Sequence, residues 1–142
     1  MYFCICRLNQ LKKMKKLLLV VFVILPISSW ADWEITAIEP NQVIYHDKET
    51  IQKKDSFVKM WTMTDFPETR VAEFGNFQSF KSFDIFDCSK KQHTFTDAVF
   101  FSKKLVTGAV VYSVTKDKNF LEWSQIEEKT TSELEWKIAC EK

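Results

Sequence analysis

Apolar and polar residues alternate with a period of two along most of the chain after residue 32, and that period predicts strands. Trp33, Ile35 and Ala37 alternate with Glu34 and Thr36, a half-buried strand that Pro40-Asn41 should end. Gln42–His46 is a second β-prone run, followed by a turn at Asp47-Lys48. Thr50-Ile51 continues the ladder before another turn at Lys53-Lys54-Asp55. Phe57–Phe66 then places Phe57, Lys59, Trp61 and Met63 on one face, with Val58, Met60, Thr62 and Thr64 on the other. The first set carries the large aromatics, so it is expected to face the core. Pro67 should stop this strand, and the polar run Glu68–Asn76, with Gly75, reads as a loop.

Phe77, Phe80, Phe83 and Phe86 recur every three residues, nearer the helical than the strand period. The aromatics, the scarcity of Ala and Leu, and the internal Asp84 and Asp87 favour a strand, with a bulge or loop before Phe80 to reconcile the spacing. Its hairpin partner is Gln92–Ser102, across a turn at Ser89-Lys90-Lys91. Leu105–Thr115 is a further strand with Gly108 inside it, which suggests a bulge or a close backbone approach. Phe120–Ile126 is expected to pack Trp123 onto the sheet. The tail is the one helical segment. Ser132-Glu133-Leu134-Glu135 has capping-box spacing, Glu133 and Lys137 form an i, i+4 pair, and Leu134 and Ile138 share a stripe flanked by Trp136 and Cys140.

The start of the chain follows a different pattern. Met14-Lys15-Lys16, the apolar run Leu17–Leu25 and the small residues of Ser29-Trp30-Ala31 have the order of an export signal, with cleavage expected between Ala31 and Asp32. Leu17–Trp30 contains Pro26 and is shorter than the about 20 residues a membrane span needs. Residues 1–13 read as an upstream extension, 14–31 as the signal and 32–142 as one domain. All five basic residues of the leader would leave with it, so 15 basic side chains would face 19 acidic ones in the product. A mildly acidic domain without a basic run argues against nucleic-acid binding. Cys4 and Cys6 would leave too. Cys88 and Cys140 remain as an even pair, read as a disulfide in an oxidising compartment, with two buried free thiols as the alternative.

Catalytic patterns are absent. His46 and Asp47 are adjacent in a strand and so point to opposite faces, which favours a solvated turn pair over a catalytic dyad. His93 has no metal-ligand spacing with other donors, and two glycines in the whole sequence could hardly build a phosphate cradle. The residues predict neither an enzyme nor a metal or cofactor. Lys90-Lys91 and Lys103-Lys104 are basic pairs at turns that could meet an acidic partner.

The ordered set Trp33, Tyr45-His46-Asp47, Trp61, Phe83-Asp84-Ile85-Phe86-Asp87-Cys88, Gly108, Trp123 and Ala139-Cys140 resembles the surface-adhesin protein E family of Gram-negative bacteria. The resemblance covers Trp33 to Cys140. It implies an α+β fold: an antiparallel sheet of about six strands, with a C-terminal helix held on its concave face by a disulfide. It also implies an exported, periplasmic or surface-associated binding protein, able to dimerise. Host vitronectin, laminin or plasminogen would be its partners. The alternative is a small periplasmic domain of structural or unknown role that shares only the fold. The family's basic stretch around the first cysteine corresponds here to Lys81, Lys90, Lys91 and His93. Asp32 stands where a lipoprotein would carry its acylated cysteine.

Overall fold

The computed structural model describes residues 32–141. The expected export signal, the expected upstream extension and Ala31 of the expected cleavage site lie outside them. Six antiparallel strands run β1 (Trp33–Glu39), β2 (Gln42–Asp47), β4 (Phe57–Ala72), β5 (Gly75–Asp87), β6 (Gln92–Phe101) and β7 (Val110–Thr115) across the sheet. Two short strands extend this path. The first, β3 (Gln52–Lys54), pairs with β4 in line with β2, and β8 (Ser124–Gln125) pairs with β6 in line with β7. One helix, α1 (Thr131–Cys140), follows.

The long β4–β5 hairpin is the spine. Its register runs from Phe57↔Asp87 to Asp65↔Ser79 and resumes from Arg70↔Phe77 to Ala72↔Gly75. Pro67, which has no N–H to give, falls in the interruption, so the strand bulges there and then continues. The expected loop over 68–76 is therefore mostly strand. Gly75 closes the turn at φ +130°, where an added Cβ would lie 2.7 Å from Val111 Cγ1. The segment Phe77–Phe86 is a strand, and the expected irregularity before Phe80 is the register break between Phe77 and Ser79. It leaves Phe77 and Phe80 on one face, where both rings meet Phe66 and Phe100, while Phe83 turns to the other face beside Trp61.

Three other expectations change. The strand foreseen from Leu105 begins only at Val110. Leu105, Val106 and Gly108 all have positive φ, and the loop's backbone is tied down by buried side chains. Leu105 N donates to Asp65 Oδ1 at 2.7 Å, and Val106 N donates to Ser79 Oγ at 2.9 Å. Gly108 does mark a close approach, since a Cβ there would meet Ser102 Oγ at 2.6 Å. Next, His46 and Asp47 are buried instead of solvated. His46 Nδ1 bonds to Thr36 Oγ1 at 2.9 Å, and Asp47 caps the 3-10 turn Lys48–Thr50. The third change concerns β1, an edge strand with a register shift between Ile35 and Ala37, which leaves Ile35 and Ile38 exposed.

The core lies on the face opposite to the expected one. Val58, Met60 and Phe86 pack against Ile126 and Ala139, with Trp136, Ile138, Cys88 and Cys140 around them. Of the aromatic-bearing set, only Met63 is fully buried, and Phe57 is exposed. The cause is the helix. Cys88 and Cys140 are joined, Cα to Cα 5.6 Å, and this bond places α1 over Val58, Met60 and Phe86. The helix starts two residues earlier than the capping pattern suggested. Thr130 Oγ1 accepts from Glu133 N at 3.3 Å, and Glu133 Oε2 accepts from Lys129 N at 2.8 Å. Replacing Thr130 with Ala is expected to lower stability by about 1 kcal/mol in urea denaturation. An unchanged midpoint would show that the cap is dispensable.

Candidate protein-binding surface

The face of the sheet away from α1 is the more open one. It presents Phe57, Lys59 and Trp61 from β4 and Lys81 and Phe83 from β5, brought side by side by the hairpin register, with Ile85 buried among them. The connector after β7 folds over one end of it. There Trp123 meets Phe57, ring centroids 5.9 Å apart, yet the two remain 37% and 39% exposed. Further along, Trp61 lies 5.2 Å from Phe83, and Lys81 Nζ sits 4.9 Å from the Trp61 ring. A cavity of about 450 Å³ opens beside Phe57 and Trp123. Its apolar lining is Phe57, Ile85, Leu121 and Trp123, and Lys54, Lys59 and Lys118 line it from three separate elements. Asp55 is the one carboxylate in its lining. None of these three lysines joins an ion pair among the described residues.

Such a surface suits recognition rather than chemistry. Exposed aromatics supply large contact area with little entropy to lose, and lysines supply attraction to an acidic partner. No acid–base pair lines the cavity. Among the described residues no group of three or more His, Cys, Asp or Glu could hold a metal ion.

Of the four residues suggested by sequence, only Lys81 belongs to this surface. Lys90 and Lys91 form the β5–β6 turn, which Asp87 organises: its Oδ1 accepts from Ser89 N, Ser89 Oγ and Lys90 N. These bonds, the Ser89 hydroxyl foremost, hold the Asp87 carboxyl below the usual range. Lys91 is a brace, with Nζ 2.9 Å from Glu133 Oε1 and 5.6 Å from the Trp136 ring. Lys90 is exposed. His93 lies on the helix-covered face, stacked on Phe86 at 6.2 Å, and desolvation pushes its pKa down. The four do not converge.

The residues that sequence reasoning missed are Lys54, Phe57, Lys59, Lys118 and Trp123. The alternation of Phe57, Lys59 and Trp61 is visible along the chain, but their aromatic size points to the interior and not to an open face. Lys54 and Lys118 are 64 positions apart and meet only through the fold.

No curated protein sequence matches the chain. In architecture it is similar to the crystal structure of protein E from non-typeable Haemophilus influenzae, with a TM-score of 0.56, 16% identity, and coverage of 82% of this chain and 80% of that one. A selenomethionine form of Haemophilus influenzae protein E is similar at a TM-score of 0.53 and 14% identity, covering 75% of this chain and 90% of that one. At such identity the likeness is one of fold. The model of the family described as surface-adhesin protein E matches residues 33–141. Sheet, stapled helix and family match agree, and the chain belongs to the surface-adhesin protein E family.

Proposed function

We propose that this chain is an exported, non-enzymatic protein-binding module whose partner docks on the open aromatic–lysine face. The observation that carries this reading is the cluster at the mouth of the 450 Å³ cavity: exposed Phe57 and Trp123, ringed by Lys54, Lys59 and Lys118. Host vitronectin, laminin and plasminogen are the partners that family membership suggests. Export rests on the signal-like order of residues 14–31, with release after Ala31.

The test is binding of purified residues 32–142 to immobilised vitronectin and laminin at low and physiological salt. Trp123→Ala is expected to weaken binding about tenfold or more, as truncation of an aromatic anchor does. Lys59→Ala combined with Lys118→Ala should weaken it mainly at low salt. Lys90→Ala should change little. Absence of binding at any salt would end the adhesive reading. Binding lost in Lys90→Ala but kept in Trp123→Ala would move the site to the β5–β6 turn.

A further inference from the structure

The helix-covered face is not wholly apolar. Beside the core, α1 and the sheet enclose a groove of about 280 Å³, to which β2, β4, β5, β6 and α1 all contribute. Two carboxylates face it. Asp84 is buried, and its Oδ2 accepts from the hydroxyls of Thr62 and Ser82, the latter at 3.1 Å. Its Oδ1 accepts no hydrogen bond among the described residues. Glu135, from the first turns of α1, is half-buried and lines the same groove. Its carboxyl has neither a hydrogen bond nor an ion pair among the described residues. His93 is the third titratable group in the lining, and no lysine or arginine is part of it. The nearby Lys116 is taken up by the Phe95 ring, 3.8 Å from its centroid.

This arrangement lacks a positive charge. Desolvation pushes Asp84 up to about 6, against the pull of its two hydroxyl donors. Desolvation first, and the neighbouring charge of Asp84 second, push Glu135 up to about 8. Two desolvated carboxylates without a counter-ion are costly to ionise, and a cation placed between them removes that cost. The remaining walls select the kind of cation. Phe80 adds a ring stacked on Phe100, Phe95 adds a ring that already holds the Lys116 ammonium against it, and Thr64 and Thr131 offer hydroxyl oxygens. Aromatic rings suit an organic cation, and among the described residues no third His, Cys, Asp or Glu joins the two carboxylates in a group able to hold a metal ion.

We propose that the groove between α1 and the sheet binds a small organic cation, a primary ammonium or guanidinium head, between the carboxylates of Asp84 and Glu135. The head could come from a free amine or from a lysine or arginine side chain of another protein. The site is separate from the open face, and it stands or falls independently of the protein-binding proposal above.

Calorimetric titration of the oxidised chain, residues 32–142, with n-butylammonium chloride at constant ionic strength tests it. One saturable site is expected, with n-butanol inert. Because Glu135 must ionise to meet the cation, binding should release a proton, seen as a heat that varies with the buffer's ionisation enthalpy. Affinity should rise severalfold from pH 6 to pH 8. Glu135→Gln and Asp84→Asn should each weaken binding about tenfold or more, the scale of a lost charge-assisted hydrogen bond. Nα-acetyl-lysine methylamide separates the sources: binding like n-butylammonium favours a protein side chain, and exclusion favours a free amine. No saturable binding of n-butylammonium would overturn the proposal. So would equal binding by n-butanol, unchanged affinity in Glu135→Gln, or tighter binding of Ca²⁺ than of the amine. Should either variant fail to fold, the wild-type comparison of amine, alcohol and Ca²⁺ still decides.

Discussion

Replacing Cys88 and Cys140 with serine is expected to lower the stability of the folded chain by about 4 kcal/mol, the chain-entropy value for a loop of 52 residues. The effect should be local before it is global. A ten-residue helix is marginal alone in water, and α1 keeps its place through Trp136, Ile138, Ala139 and the sulfur bridge. Without the bridge the salt link from Lys91 to Glu133 remains, but an ion pair that meets water contributes little. Urea denaturation followed by tryptophan fluorescence and by far-ultraviolet dichroism should show α1 leaving first and the sheet following at lower urea than in the parent. A loss below about 1 kcal/mol would mean that packing alone holds the helix. The same comparison by reduction with a thiol, without mutation, controls for the serine hydroxyls.

Stability is expected to fall as pH rises from about 5 to 8, the reverse of the usual course for an acidic domain. Asp84 and Glu135 have folded-state pKa values of about 6 and about 8, both above their unfolded values. Below the unfolded values both are neutral in either state, and their burial carries no ionic penalty. As pH rises, the unfolded chain releases its protons first, and the folded state loses ground at about 1.4 kcal/mol per pH unit for each proton it retains. The slope should be steepest between about 4.5 and 6, where both groups contribute, and should end near 8. His93, whose folded pKa is lowered, acts the other way as pH drops below 6.5. Glu133, held at about 2 first by the Lys129 amide and then by Lys91, and Asp87, also lowered, lose their contributions in stronger acid. A stability maximum near pH 5 is the outcome, read from urea midpoints across the range. Glu135→Gln should flatten the alkaline limb. A parent curve that is level from pH 5 to 8 would show that the two carboxyls ionise freely in the fold.

Much of the architecture was legible along the chain because the relevant signals are local. Pro40-Asn41 ends β1, the strand-favouring aromatics outweigh the three-residue period of Phe77–Phe86, and the cysteine pair identifies the staple. What failed depended on the third dimension. Period two tells which residues of β4 share a face, but not which face receives α1. Side-chain size then misled, because Trp61 and Phe83 satisfy each other on the open side while the smaller Val58 and Met60 lie under the helix. Pro67 read as a stop because its cost to a ladder is local, whereas β4 absorbs it in a bulge. The four basic candidates around Cys88 were neighbours in sequence and became separated by strand alternation and by the pairing of Lys91 with Glu133. The open-face lysines came from distant segments and left no joint trace.

The separation between the two cysteines also governs the order of events during biogenesis. Wherever the chain is delivered segment by segment into an oxidising compartment, Cys88 arrives as a thiol, and its partner follows 52 positions later. Over that interval the hairpins can pair, but the sulfur remains open to glutathione or to a stray thiol on another molecule. Maturation would then turn on how long that sulfur stays protected, which gives thiol-exchange catalysts a natural point of control over the yield of finished protein.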